Sequence, residues 1–265
     1  SEPITFNNKI DETDYLKSIV DETVKSHQVA DVPVEFLLSS GIDSSILVAS
    51  TNNEDKKNCS SLTLDFNIGN IDDETYLAKK TAKKNNILHK IKKLRSDEVE
   101  FVIEDFFNNM DSPTNDGLNN FIISYLAKKD NTKVLISGVG GDELFSGYPS
   151  FKKIPQMINI LKYFPDLNFI NDLLKNKIQN LFKKKLNTKY LSIFKYGRKL
   201  NTAFLLQRSL FLPEELDHFL QPNIIKNGLE ELNTIDNTSQ DIKDIKDKKL
   251  SIMYLEIKYY LCSKL

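Results

Sequence analysis

The chain has 265 residues, with 36 basic against 37 acidic side chains and 40% hydrophobic residues, the composition of an ordinary globular protein with material for a sizeable core. No apolar run approaches the ~20 residues of a membrane-crossing helix, and the start Ser1-Glu2-Pro3-Ile4 has neither the basic region nor the apolar stretch of a secretory signal. Cys59 and Cys262 are too few for a disulfide framework, and with His27, His89 and His218 scattered along the chain they cannot close a four-ligand zinc site. A cytoplasmic chain with no membrane partner is expected.

Up to about residue 150, apolar runs of strand length alternate with helix-like segments. A helix is expected at 13–29, a strand at Val34-Glu35-Phe36-Leu37-Leu38 and a helix at 43–52. Ser61 to Phe66 is the second strand, and Tyr76, Ala78 and Ala82 then recur at helical spacing within 73–85. Ile87 to Ile91 is a weaker third strand. Helices at 97–109, on Val99, Val102, Ile103 and Phe106, and at 118–129 precede a fourth strand, Lys133 to Ser137. Such alternation predicts a doubly wound parallel α/β sheet.

The pattern changes after Pro149. Between Lys152 and Arg208 thirteen Lys/Arg face two acidic residues, Asp166 and Asp172, so this stretch carries +11. Leu161, Phe164, Leu173, Leu174, Ile178 and Leu181 fall on plausible inward helical faces, and no second strand series follows. The reading is a nucleotide-binding α/β domain over 1–150 and a helical extension over 151–265. Asp241 to Lys249 reads as a solvated helix face. Lys183-Lys184-Lys185 could touch nucleic acid, but only Arg95, Arg198 and Arg208 occur in the chain and base readers favour arginine. Nucleic acid is not the expected partner.

Chemistry is concentrated in two loops. Leu38-Ser39-Ser40-Gly41-Ile42-Asp43-Ser44-Ser45 leaves the first strand and enters a helix, where small residues let backbone N–H groups converge on an anion and the Ser39 and Ser44 hydroxyls can add donors. No Walker-type G-x-x-x-x-G-K-[ST] occurs in the chain. An aspartate in an anion site makes sense when Mg²⁺ bridges it to phosphate; a serine-rich helix cap without a ligand is the alternative. Ser137-Gly138-Val139-Gly140-Gly141-Asp142-Glu143-Leu144-Phe145-Ser146-Gly147-Tyr148 follows the last strand. In a doubly wound sheet the two loops would share the crevice at the strand carboxyl ends, although a tight structural turn would also use these glycines.

Together these residues resemble the synthetase domain of the glutamine-hydrolysing asparagine synthase family, within the PP-loop ATP pyrophosphatases. The family's S-G-G-x-D-S is matched by Ser39, Gly41, Asp43 and Ser44, with Ser40 replacing a glycine, and S-G-x-G-x-D-E-x-F-x-G-Y is matched from Ser137 to Tyr148. Asp73-Glu74 and Ala78 fit a further D-E-x-x-x-A, Asp111 to Asp116 resembles an E-P-x-x-D region, and Tyr254 to Leu265 resembles the start of a later helical motif.

The resemblance implies ATP and Mg²⁺ as cofactors. Aspartate would attack the α-phosphate of ATP, pyrophosphate would leave, and ammonia would displace AMP from the adenylate. Ser39, Ser40, Gly41, Asp43 and Ser44 would hold the pyrophosphate portion, Asp43 and Asp142 would ligate Mg²⁺ as the catalytic carboxylates, and the backbone at Leu64, Ser137 and Gly138 would meet the adenosine. Asp116 is a candidate for the amino-acid pocket or a helix cap. Val139 stands where well-studied members carry a glutamate, so another carboxylate substrate stays open; another PP-loop activity is a further alternative, and the missing ends and the basic helical stretch keep a non-catalytic nucleotide-binding module open. The partner implied is a glutaminase domain or subunit, absent from the chain, which is expected to be truncated and poorly active alone. Truncation would leave Tyr259, Tyr260 and Leu261 exposed.

Overall fold

The computed structural model describes residues 4–52, 55–65, 72–114, 116–164 and 192–262. They fall into two compact units, one through Val139 and one from Gly140.

The first unit opens with α1 (Lys9–His27), whose N-cap Asn8 accepts hydrogen bonds from the Ile10 and Asp11 N–H groups at 2.9 Å. Asp11 and Glu12 in its first turn and Lys25 and His27 in its last suit the helix dipole. Then follow β1 (Val34–Leu37), α2 (Ile42–Ala49), β2 (Cys59–Asp65), α3 (Asp72–Lys84), β3 (Leu88–Lys93), α4 (Val99–Asn109), α5 (Gly117–Lys129) and β4 (Val134–Ile136). The strands form one sheet in the order β3-β2-β1-β4. All pairs are parallel, with Val34 opposite both Cys59 and Val134, and Ser61 opposite His89.

Strand periodicity decides what β1 buries. Val34 and Phe36 point to one face, into a cluster with Val24, Leu38, Val48, Ala78, Ala82 and Ile87. Phe36 is fully buried, a contribution of about 2–3 kcal/mol on removal from water. Val102, Ile122 and Leu126 form a second cluster that seats α4 and α5 against Leu64 and Leu94. Glu35, between Val34 and Phe36, is 2% exposed. Its carboxylate accepts from Ser60 Oγ on β2 at 2.8 Å and Thr132 Oγ1, just before β4, at 2.9 Å, and meets Lys90 Nζ on β3 at 2.8 Å. One side chain on β1 thus ties β2, β3 and the approach to β4. Burial would raise the Glu35 pKa, but these hydrogen bonds and the Lys90 charge outweigh it and hold the carboxyl below its ordinary value.

The second unit begins with α6 (Gly141–Phe145) and α7 (Ser150–Leu161) and resumes with α8 (Ile193–Tyr196), α9 (Leu200–Arg208), a 3₁₀ turn at Pro213–His218, α10 (Pro222–Leu232), α11 (Thr234–Asp241), α12 (Lys248–Leu255) and a π-helix at Glu256–Leu261. Its core joins Phe151 and Ile154 of α7, Ala203 and Phe204 of α9, and Ile252 and Leu255 of α12.

Three expectations need correction. Leu161 is buried, but Phe164 is 48% exposed, because α7 ends at Leu161 and the chain has left the core; Leu173, Leu174, Ile178, Leu181 and the Lys183 run lie outside the described residues. Asp241 to Lys249 is no continuous helix: α11 stops at Asp241, and Asp247 accepts from the Lys249 and Leu250 N–H groups to start α12. Tyr259, Tyr260 and Leu261 are half-buried rather than exposed. Tyr259 donates to Asp241 at 2.7 Å and Tyr260 packs on Arg208.

Candidate active site

The loop from β1 into α2 is shaped by its own serines. Ser44, buried, accepts from the Ser39 N–H at 3.1 Å and lies 2.9 Å from the Ser39 hydroxyl, which accepts from the Gly41 N–H at 3.1 Å. Ser45 donates to the Gly41 carbonyl at 2.7 Å. The hydroxyls expected to reach a ligand are engaged within the loop itself, and the first-turn backbone N–H groups of α2 are the donors that helix geometry leaves without intrahelical acceptors. Ser40 is exposed and does not have a positive φ, so a glycine is not required there for backbone reasons. Leu64, half-buried near the end of β2, pairs with Lys92 and packs into the α4–α5 cluster. Its neighbour Asp65 is bridged to Lys93 at 2.7 Å.

Ser137 and Gly138, after β4, come to the same place. A Cβ added to Gly138 would stand 3.0 Å from Asp43 Cβ and 3.0 Å from the Ser44 backbone nitrogen. The chain rests this closely on the first turn of α2 because residue 138 is glycine, and the two sequence signatures meet there within the first unit. Val139 beside it is 55% exposed, and its N–H donates to Ser137 Oγ at 3.4 Å.

Asp142 is carried by the second unit and Asp43 by the first. The Asp142 loop is tightly determined. Gly140 has φ +100 and Ser146 φ +61, either side of the five-residue α6. The Gly147 N–H donates to the Asp142 carbonyl at 2.9 Å, and a Cβ at Gly147 would sit 1.8 Å from Asp142 Oδ1. Gly147 therefore leaves the space that the Asp142 carboxylate occupies. Glu143 turns inward at 2% exposure and accepts from Tyr148 Oη at 2.9 Å. Burial first, then that bond and the Glu143 charge, raise the Tyr148 pKa.

Among the described residues no group of three or more His, Cys, Asp or Glu could hold a metal ion; one or two carboxylates completed by phosphate oxygens is the usual Mg²⁺ arrangement. Asp116 stands at the N-cap position of α5, as the cap reading has it. The Asp116 side chain makes no cap bond to α5, and Thr114 Oγ1 accepts from the Gly117 N–H at 3.1 Å instead. Sequence reasoning missed the side chains behind the Asp142 loop, Arg208 and Glu256: Arg208 lies in no motif, and the helical motif that covers Glu256 gives no sign of its partners.

A protein of Mycobacterium bovis named "Putative asparagine synthetase (glutamine-hydrolyzing)" is 28% identical over 165 residues, 62% of this chain and 25% of the relative; its Mycobacterium tuberculosis counterpart gives the same figures. "Amidase chyE" of Penicillium rubens is 28% identical over 146 residues, 49% of this chain and 22% of the relative. The chain thus spans about a quarter of the length of these relatives. A structure of NH3-dependent NAD synthetase from Campylobacter jejuni with nitrate aligns over 87% of this chain and 97% of that one at 20% identity, with a TM-score of 0.35, too low to carry an argument. Residues 15–263 match the asparagine synthase family, and the chain belongs to that family.

Proposed function

We propose that this chain is the synthetase part of an asparagine synthase-like amidotransferase. It adenylates a carboxylate, most simply that of aspartate, with ATP and forms the amide with ammonia, releasing AMP and pyrophosphate. The observation that carries the reading is the approach of Gly138 to Asp43 and Ser44. It joins two glycine-rich strand-end loops at one helix N-terminus, a place suited to phosphate oxygens.

The two glycines let the loop backbones close up on one another: a Cβ at Gly41 would lie 3.1 Å from Ser39 Oγ, and one at Gly138 would meet the α2 backbone, which supports a loop whose backbone N–H groups are the anion donors. On this reading the Ser39–Ser44 loop positions pyrophosphate, the backbone at Leu64, Ser137 and Gly138 receives the adenosine, and Asp43 and Asp142 hold Mg²⁺. Held there, magnesium would supply charge neutralisation for the pyrophosphate portion. The protein's part is orientation and preorganised N–H donors, which is where phosphoryl and adenylyl transfer gain most. Residues 1–150 serve as the nucleotide domain and 151–265 as its helical extension, and a glutaminase domain or subunit is the source of ammonia.

Val139 favours a second reading of the substrate. It is exposed and apolar where a glutamate was expected from the resemblance, and it supplies no charge to a polar substrate. A carboxylate other than aspartate fits the same ATP chemistry.

The test is product analysis with α- and γ-labelled ATP, Mg²⁺ and ammonium across a carboxylate panel that includes aspartate. AMP and pyrophosphate dependent on one carboxylate are expected. ADP and orthophosphate as the main products, from a preparation free of contaminating ATPase, would overturn the assignment.

A further inference from the structure

Behind the Asp142 loop lies a buried charged network that the proposed chemistry does not use. Glu256, fully buried at the start of the π-helix, accepts from Arg208 Nε at 2.9 Å and from Ser150 Oγ at 2.8 Å. Burial pushes the Glu256 carboxyl up, Ser150 and Arg208 pull it back, and the Glu143 charge adds to the rise. The Arg208 guanidinium carbon stands 3.5 Å from the Tyr260 ring centre and 4.4 Å from that of Tyr148, and the two rings meet edge-on at 6.0 Å. Tyr148 in turn donates to Glu143, the residue after Asp142. A planar cation held against two rings and a buried carboxylate is a rigid, strongly directional contact.

The backbone around it points the same way. Glu256 and Tyr260 belong to a π-helix, a rare form that recurs at functional positions. The next residue, Leu261, packs 3.7 Å from the Cβ position of Gly140, the left-handed residue from which α6 and Asp142 start. Both ends of the Asp142 loop are thus held by the C-terminal π-helix, one through Leu261 and the other through Tyr260, Arg208 and Tyr148.

We propose that Arg208 is a positioning residue for the Asp142 carboxylate, and that its stacking on Tyr148 and Tyr260 sets how strongly Mg²⁺ tightens nucleotide binding. This rests on the reading of Asp142 as a metal ligand. Arg208 touches neither metal nor nucleotide: it fixes Tyr148, and with it the Gly147 turn against which the Asp142 oxygen lies.

The probe is α,β-methylene-ATP, which is not cleaved at the reacting bond, titrated calorimetrically with Mg²⁺ and again with EDTA. The readout is the ratio of the two Kd values. Arg208→Lys keeps a charge for Glu256 but has no plane to stack; Tyr260→Leu removes one ring and leaves the ion pair. Each is expected to lose about tenfold of the Mg²⁺-dependent tightening, the scale of coupling between contacting groups, with the metal-free Kd unchanged. Tyr260→Phe keeps the ring and is expected to behave as wild type. Asp142→Asn calibrates the reading and is expected to abolish the Mg²⁺ effect. Wild-type ratios in Arg208→Lys and Tyr260→Leu, with the effect lost in Asp142→Asn, would overturn the positioning role and leave the metal reading standing. Equal weakening with and without Mg²⁺ would also overturn it, as a purely structural role. A wild-type ratio in Asp142→Asn would instead sink the metal reading. Should Arg208→Lys fail to fold, the Tyr260 pair decides the question alone.

Discussion

At the scale of single residues, the acidic pair Asp142-Glu143 divides its work. Asp142 is half-exposed with its carboxylate over Gly147, whereas Glu143 is buried on Tyr148. Gly147→Ala puts a methyl group where Asp142 Oδ1 now lies, and no rotamer change at the methyl can relieve it. We expect this variant to lose Mg²⁺-dependent nucleotide affinity by at least tenfold, about 1.4 kcal/mol, and to match Asp142→Asn in the same titration. Glu143→Gln retains an acceptor for Tyr148 and is expected to cost about 1–2 kcal/mol of stability with little change in affinity, as read by urea unfolding alongside the binding curve. A Gly147→Ala protein with wild-type Mg²⁺ dependence would show that Asp142 does not act from this position.

At the scale of elements, β1 illustrates what a sequence carries and what it withholds. Its apolar run and the glycine-rich turn after it are local features, and the helix and strand sites through residue 136 are legible within a few positions. Glu35 is not legible in that way, because its partners Ser60, Lys90 and Thr132 come from elsewhere in the chain. The same holds for β3, which runs Leu88–Lys93 rather than from Ile87. Its lysines look like loop residues until pairing with β2 places them. In the functional loops, the meeting of Gly138 with α2 follows from motif and topology, but Arg208 and Tyr260 reach the Asp142 turn only through tertiary packing that no spacing announces. Glu35 makes the distinction measurable. Its folded-state pKa lies below the ordinary 4.5, so the native protein binds fewer protons than the unfolded chain across that range. The stabilisation is present in full above about pH 4.5 and is lost as pH falls through the depressed folded value. Glu35→Gln is expected to flatten the acid limb of a urea-midpoint series between pH 7 and 3. Glu35→Ala is expected to cost about 3 kcal/mol at pH 7, the lower end for breaking a buried pair, because Lys90 is one-third exposed and can turn to water. An unchanged acid limb in Glu35→Gln would remove Glu35 as its source.

At the scale of the whole molecule, each unit has its own core, one around Phe36 and one around Phe204 and Ile252. Among the described residues no helix is long and apolar enough to cross a membrane. If nucleotide binds at the Ser39–Ser44 loop as proposed, it would stabilise the folded chain by mass action, about 2.7 kcal/mol at a hundredfold excess over Kd. A thermal scan is expected to show an upward shift with α,β-methylene-ATP and Mg²⁺ that disappears in Gly138→Val, whose side chain would run into Asp43 and the α2 backbone; a shift that survives this change would place the nucleotide elsewhere. Among the described residues the strand order also leaves β3 at a margin of the sheet. An unpaired margin is a template on which another chain can add a strand. Lys90, Lys92 and Lys93 stand along it, engaged by Glu35, Asp130 and Asp65. An incoming strand would have to bury or displace those ammonium groups, and so the lysines that fasten β3 to its own protein also discourage intermolecular pairing.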